Sequence, residues 1–365
     1  MKIIDITRIL EEVAPRSLQE SYDNSGLIVG DPNGECDKAM ICLDSTEEVI
    51  DEAVSQGCGL VIAHHPIVFS GLKKFNGKNY VERVVMKAIK NDVAIYAIHT
   101  NLDNVFYRGV NERIAQKIGL TQTSILAPRS GDLKKLTTFV PESYLDQLRD
   151  AICDAGAGTI GNYDQCTFQV KGTGTYRPLE GSDPFIGEQG RRSEEEEIRI
   201  EVIYPQHAES KIIAAMKEAH PYEEIAYYSS DLRNSWQDAG AGLIGELDES
   251  LQPEDFLKHL KSSMNAEVIR FTPRTGSIKR VAVCGGSGSF LLNRAIAQQA
   301  DAFVTADFKY HQFFDAEGKL MICDIGHYES EQFTTELISD ILSEKIPNFA
   351  LIFAQRGTNP IQYYY

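Results

Sequence analysis

Two adjacent histidines, His64 and His65, stand at the end of the apolar run Leu60-Val61-Ile62-Ala63 and directly before Pro66. Neighbouring side chains of a strand point to opposite faces, so paired imidazoles share a site only where the strand stops. Pro66 removes a backbone donor and turns the chain there, which lets both rings swing toward one crevice. Taken alone, the pair reads equally as one half-buried structural histidine beside a solvated one. Three further pairs follow apolar runs in the same way: His99 with Asp103, Asp307 with His311, and His327 with Glu331. The last is spaced i, i+4 at a helix start, which puts both residues on one face. Five of the eight histidines fall at these strand ends.

Imidazole and carboxylate together suit zinc, iron, manganese, cobalt or nickel better than magnesium or calcium. Three or more histidines and two carboxylates supply enough ligands for two ions with a bridging carboxylate. Ions roughly 3.5–4 Å apart would activate a water and polarise a phosphoryl or carbonyl oxygen. Each motif has a plainer alternative. His99 could hydrogen-bond a ligand rather than touch metal, and Asp307 with His311 could cap a helix or line the pocket. Gly285-Gly286-Ser287-Gly288-Ser289 reads either as a phosphate cradle at a helix start or as a tight strand-to-helix turn.

The elements that must position these residues alternate. Helical spacing over Ile3 to Val13 is followed by a strand after Tyr22-Asp23-Asn24-Ser25-Gly26 and another over Lys38 to Asp44. A helix from Glu47 with Ser45 or Thr46 as cap, the His-His strand, a helix over 79–90 and the strand Val93 to Ile98 complete the first lobe. Strands at 278–284, 302–304, 320–325 and 349–353 repeat the style after Gly240. This alternation predicts an α/β fold of two lobes, with mainly parallel sheets flanked by helices. Between them, residues 128–237 change style to β-α-β-β-α-β, the split order of a ferredoxin-like α+β domain. The expected domains are therefore a discontinuous core, 1–127 with 238–365, and an insert at 128–237. Residues 172–197 are expected to be a loop, with Glu194 to Glu197 as its solvated edge.

Lys+Arg 36 against Asp+Glu 53 gives a net charge of −17 over 365 residues, which makes a nucleic-acid partner unlikely on electrostatic grounds. Seven scattered cysteines form no C-x-x-C, and Cys42 and Cys323 sit inside apolar runs as small hydrophobes. No long apolar run opens the chain, so neither a signal peptide nor a membrane span is expected, and the expected location is cytoplasmic.

His64-His65-Pro66, His99-Thr100-Asn101-Leu102-Asp103 and Gly326-His327 through Glu331 together resemble the Nif-three-like dinuclear metal-centre proteins, often labelled GTP cyclohydrolase 1 type 2 homologs. Tyr22 to Gly26 and the Gly285 to Gly288 turn fit the same pattern. The resemblance implies metal ligands at His64, His65, Asp103, His327 and Glu331. It also implies a PII/CutA-like insert at 128–237 and a ring-shaped homohexamer. The resulting expectation is a two-metal hydrolase with two divalent transition-metal ions per chain, acting on a phosphorylated or nucleotide-like small molecule. His99 or His311 would orient substrate or shuttle protons. The alternative is a non-catalytic metal-binding or regulatory protein, such as a metal chaperone or a ligand-sensing scaffold.

Overall fold

Short apolar runs closed by turns become the central strands. The computed structural model describes residues 1–364 and divides into two compact units, Met1–Pro128 with Asp238–Tyr365, and Arg129–Gln237. In the first unit, one five-stranded sheet has the order Gly26–Val29, Ala94–Ala97, Leu60–Ala63, Lys38–Cys42 and Ala350–Phe353. Its inner pairings are parallel, and Gly26–Val29 closes one edge antiparallel. Every residue of Leu60–Ala63 and Ala94–Ala97 is buried, the signature of parallel strands covered on both faces. The helices Glu47–Ser55 and Tyr80–Lys90 pack Val49, Ile50, Val84 and Val85 onto Met40, Val61 and Ile95. Thr46 and Asn79 cap them, accepting from the Val49 and Glu82 amides.

The second sheet runs Arg270–Phe271, Met321–Asp324, Ala302–Ala306, Ile278–Ser287, Ser235–Leu251 and Leu120–Ser130. Its three middle strands are parallel, with antiparallel strands outside them. The architecture is α/β, with one mainly parallel sheet and one mixed sheet, parallel only at its centre, each flanked by helices. The carboxyl ends of Lys38–Cys42, Leu60–Ala63 and Ala94–Ala97 deliver Asp44, His64, His65 and His99. Those of Ala302–Ala306 and Met321–Asp324 deliver Asp307 and His327.

The second unit is built on four antiparallel strands in the order Thr167–Tyr176, Ser193–Pro205, Leu133–Pro141 and Tyr227–Leu232. In chain order it runs strand, helix, strand, strand, helix, strand. Ile198, Ile200, Val202 and Tyr204 alternate onto one face and bury Leu148, Ile152, Ile212 and Met216 of its two helices. The loop expected at 172–197 is shorter than the sequence reading gave. Thr167–Tyr176 pairs along its full length with residues 193–202 of Ser193–Pro205, and the acidic run 194–197 lies in that strand. Glu194 and Glu196 face solvent, whereas Glu197 is buried.

Where the chain leaves and re-enters the first unit, its two passes run side by side. A Cβ added to Gly240 would lie 2.3 Å from the Ala127 carbonyl oxygen. Nearby ends are what tolerate excision. Replacing Arg129–Gln237 by a short linker is therefore expected to leave a soluble core with an unchanged metal complement, read by circular dichroism and elemental analysis. Insoluble or metal-free products with every linker length would show that the core depends on the segment.

Candidate metal centre

His64 and His65 bend to one side past Ala63, as Pro66 requires, and their ring centroids are 4.8 Å apart. His64 is fully buried and Glu331 is 3% exposed. The Glu331 Oε2 atom is the hub. It lies 2.9 Å from His65 Nε2, 3.2 Å from His327 Nε2 and 3.9 Å from His64 Nε2. On the far side of His64, Asp103 Oδ1 approaches His64 Nε2 at 3.7 Å. Among the described residues, His64, His65 and Glu331 form the one group of three donors close enough together to hold a single metal ion. Asp103 extends this group beyond His64, and His327 extends it beyond His65.

Each imidazole is fixed through its other nitrogen. His64 Nδ1 contacts the Ile98 carbonyl at 2.8 Å, His65 Nδ1 the Asp44 carboxylate at 2.8 Å, and His327 Nδ1 the Asp307 carboxylate at 2.7 Å. His99 Nδ1 meets Asp23 at 2.7 Å. An acceptor at Nδ1 sets the tautomer with the proton there and leaves the Nε2 lone pair for a cation. Asp44 is itself held by the Thr358 hydroxyl at 2.9 Å.

The electrostatics follow from the burial of opposite charges. Burial opposes ionisation of Glu331, yet close contacts with His327 and His65 and the nearby charge of His64 hold its carboxyl well below the usual range. Burial works against charging His65, but Asp44 and Glu331 push it up to about 10, and Asp307 and Glu331 likewise push His327 up to about 11. Burial pushes Asp103 up, against the pull of His64. The cluster favours positive charge, for which protons and metal ions would compete at the same lone pairs.

Two buried atoms complete the test of fit. His64 Nε2 and Asp103 Oδ1 have no hydrogen-bond partner. A buried orphan costs free energy unless something satisfies it, and here two such atoms, one imidazole nitrogen and one carboxylate oxygen, face each other. Nitrogen and carboxylate donors at this spacing suit a transition-metal ion.

The glycine turn serves this packing. The Gly285 and Gly286 amides already donate to Asn111 Oδ1 and to Ser330 Oγ, so they are not available to cradle a phosphate. Gly286 has φ +58°, and a Cβ there would lie 2.4 Å from Glu331 Oε1 and 3.2 Å from the His327 ring. The turn is glycine because the carboxylate hub passes over it.

Of the residues singled out from sequence, His64, His65 and Glu331 converge, with Asp103 beside His64 and His327 beside Glu331. His99 lines the same cavity, 5.4 Å from the His64 ring and 5.3 Å from the His65 ring. His311 stands outside the cavity lining, exposed, with its ring stacked on Phe314. Asp307 is the member of that motif that reaches the cluster. Sequence reasoning missed Asp44, although it closes the apolar run Met40 to Leu43 much as His64 and His65 close theirs. Thr358 gave no signal at all.

A cavity of about 510 Å³ opens onto the cluster. Tyr22, Phe69, Tyr80 and Phe290, all more than half exposed, line it. Among the described residues no lysine or arginine does.

Two measurements test this geometry. Gly286→Ala is expected to displace the Glu331 carboxylate and weaken metal binding at least about tenfold while the chain stays folded, as read by competition with a chelating dye. Elemental analysis is expected to find two transition-metal ions per chain after anaerobic reconstitution. Glu331→Ala or Asp103→Ala should lose at least one of them and His311→Ala none. Fewer than one ion in the parent protein would sink the five-ligand reading.

The sequence model of the Duf34/NIF3 (NGG1p interacting factor 3) family matches residues 1–360. The chain is 39% identical to the GTP cyclohydrolase 1 type 2 homolog of Halalkalibacterium halodurans, with 98% of each chain covered. It is 35% identical to the Bacillus subtilis protein of the same description, over 98% of this chain and 97% of that one. The crystal structure of a Bacillus cereus protein related to NIF3 superposes with a TM-score of 0.89 at 38% identity, covering 100% of this chain and 99% of that one. With relatives this similar along its whole length, the chain belongs to the Duf34/NIF3 family.

Proposed function

We propose that the cluster is a dinuclear metal centre and that the protein is a hydrolase for a phosphorylated or nucleotide-like small molecule. His64, His65, Asp103, His327 and Glu331 would hold the ions, with Glu331 at the centre of the donor set. When bound, divalent transition-metal ions supply Lewis acidity to a phosphoryl or carbonyl oxygen and make water a usable nucleophile near neutral pH.

The observation that carries this reading is the cavity that opens directly onto the ligand cluster. A structural metal site closes its coordination shell, whereas this one is reached through a mouth lined by aromatic rings. Those rings suit a flat heterocycle. His99, oriented by Asp23, holds or moves a proton at its Nε2 beside the cluster. Asp44 and Asp307 keep the imidazoles aimed. No helix among the described residues is long and apolar enough to cross a membrane. The ring-shaped homohexamer implied by the family resemblance belongs to this reading, and sedimentation of the full chain checks it.

An anion entering a cavity without lysine or arginine depends on the metal ions for attraction. Inorganic phosphate is therefore expected to bind the metal-loaded protein and not the chelated one, as followed by calorimetry. A panel of phosphoesters and nucleotides, assayed with manganese, zinc, iron and cobalt forms, is expected to show a hydrolysis that disappears in His64→Ala and persists in His259→Gln. If every activity survives His64→Ala, or none exceeds a chelated blank, the alternative of a non-catalytic metal-binding or regulatory protein takes its place.

A further inference from the structure

A second cavity, of about 810 Å³, lies wholly within the Arg129–Gln237 unit, on the sheet face opposite the two helices. Phe139, Tyr176, Phe185, Tyr222 and Tyr228 wall it, and Glu197 stands among them. The rings form two connected groups. Phe139 and Tyr228 meet edge to face at 6.0 Å, and Tyr222 lies 6.0 Å from Phe185 and 6.4 Å from Tyr176. The Tyr176 hydroxyl donates to the Ile186 carbonyl at 2.8 Å, which fastens the 177–185 segment as one side of the cavity.

Glu197 is 8% exposed. Across the sheet it pairs with Gly172 on one side and Pro141 on the other, and neither can offer a side-chain donor. Its carboxylate lies over Gly174, where an added Cβ would come within 2.1 Å of Oε2. Among the described residues no cation forms an ion pair with it. Arg199, the nearest arginine in the strand, is paired with Glu201. The Tyr222 hydroxyl, buried and facing Glu197, completes no hydrogen bond of normal geometry. Burial pushes its phenol up, and the Glu197 and Glu195 carboxylates add to that. Glu223 and Glu224 line the cavity as well, together with Arg199, which is held by Glu201, and the exposed Arg177.

A buried carboxylate without a counter-charge is costly, and a ring of aromatic faces around it attracts a cation of low charge density. A hydrated divalent metal ion would gain nothing from the rings. No group of three donors that could hold one lies in this cavity among the described residues. We infer that this cavity binds a small organic ammonium cation, with Glu197 as its counter-ion, the five aromatic rings as its walls and Tyr222 as a polar contact. This site is separate from the metal centre and does not depend on what that centre does.

The test is calorimetric titration of the full-length, metal-loaded protein with choline and with its uncharged isostere 3,3-dimethyl-1-butanol. Choline is expected to bind, and the alcohol to bind at least about tenfold more weakly, the scale of a cation–π and ion-pair contribution. Glu197→Gln should abolish that preference while leaving metal content and thermal unfolding unchanged. Gly174→Ala, which dislodges the carboxylate without removing it, should weaken choline in the same direction and serves as the second arm if Glu197→Gln fails to fold. Equal affinity for choline and the alcohol would reduce the cavity to an apolar pocket and overturn the proposal. So would the absence of choline binding at about 10 mM, or an undiminished preference for choline over the alcohol in a folded variant of either kind.

Discussion

Burying the Glu331 carboxylate is the constraint on which the rest of the site depends. An isolated ionised carboxylate in a protein interior is not tolerated, and at 3% exposure Glu331 needs positive or hydrogen-bonding partners on nearly every side. Three imidazoles from two separate chain segments, His64 with His65 and His327, supply them. Because those segments are strand ends of two different sheets, the hub joins Met1–Pro128 to the Asp238–Tyr365 half of the same unit. The carboxylate is thus both the candidate bridging ligand and the reason the two halves of the core must meet where they do.

Holding several imidazoles in register requires a second layer. Asp44, Asp307 and Asp23, with the Ile98 carbonyl, occupy the Nδ1 positions, so that the Nε2 lone pairs converge. Parallel strands make this economical, since all their carboxyl ends open on one edge and side chains from consecutive strands arrive together. Gly286 is the negative counterpart of these contacts, a position where any side chain would strike the hub. The same layer reaches the C-terminal segment, where Thr358 donates to Asp44 and Asn359 to Glu329.

Much of this was legible in the chain. His-His-Pro at a strand end and the i, i+4 spacing of His327 and Glu331 are local signals, and period and turn residues marked the alternating elements well. What escaped was non-local. Asp44 is one carboxylate among 53 acidic residues, and nothing in its neighbourhood announces that it will meet His65. The glycine turn was ambiguous for a related reason. Flexibility at Gly285 and Gly286 serves a phosphate cradle and a close side-chain approach equally well, and only the Asn111 and Ser330 oxygens, distant in sequence, decide which amides are taken. In the second unit, Gly172 and Gly174 broke the strand alternation and the run of glutamates imitated a solvated loop. The ladder to Thr167–Tyr176 overrides both signals.

The overall charge of −17 also takes on a local meaning. The cavity over the candidate metal centre contains Asp44, Asp103 and Glu331 and no lysine or arginine. Without metal, the protonated His65 and His327 are held by those carboxylates, so the lining offers phosphate no net positive charge. Two divalent ions would add four positive charges at the base of the cavity and make it net positive. The ligand set would then govern substrate entry as well as chemistry, since without its cations the site does not attract the anionic molecules it is proposed to take. In the second unit the same excess of carboxylates meets aromatic walls instead of imidazoles. There the negative charge would select a soft organic cation, where the imidazole-rich core cluster suits a metal ion. One acidic composition can thus serve two cation chemistries, and the side chains beside each carboxylate decide which cation it suits.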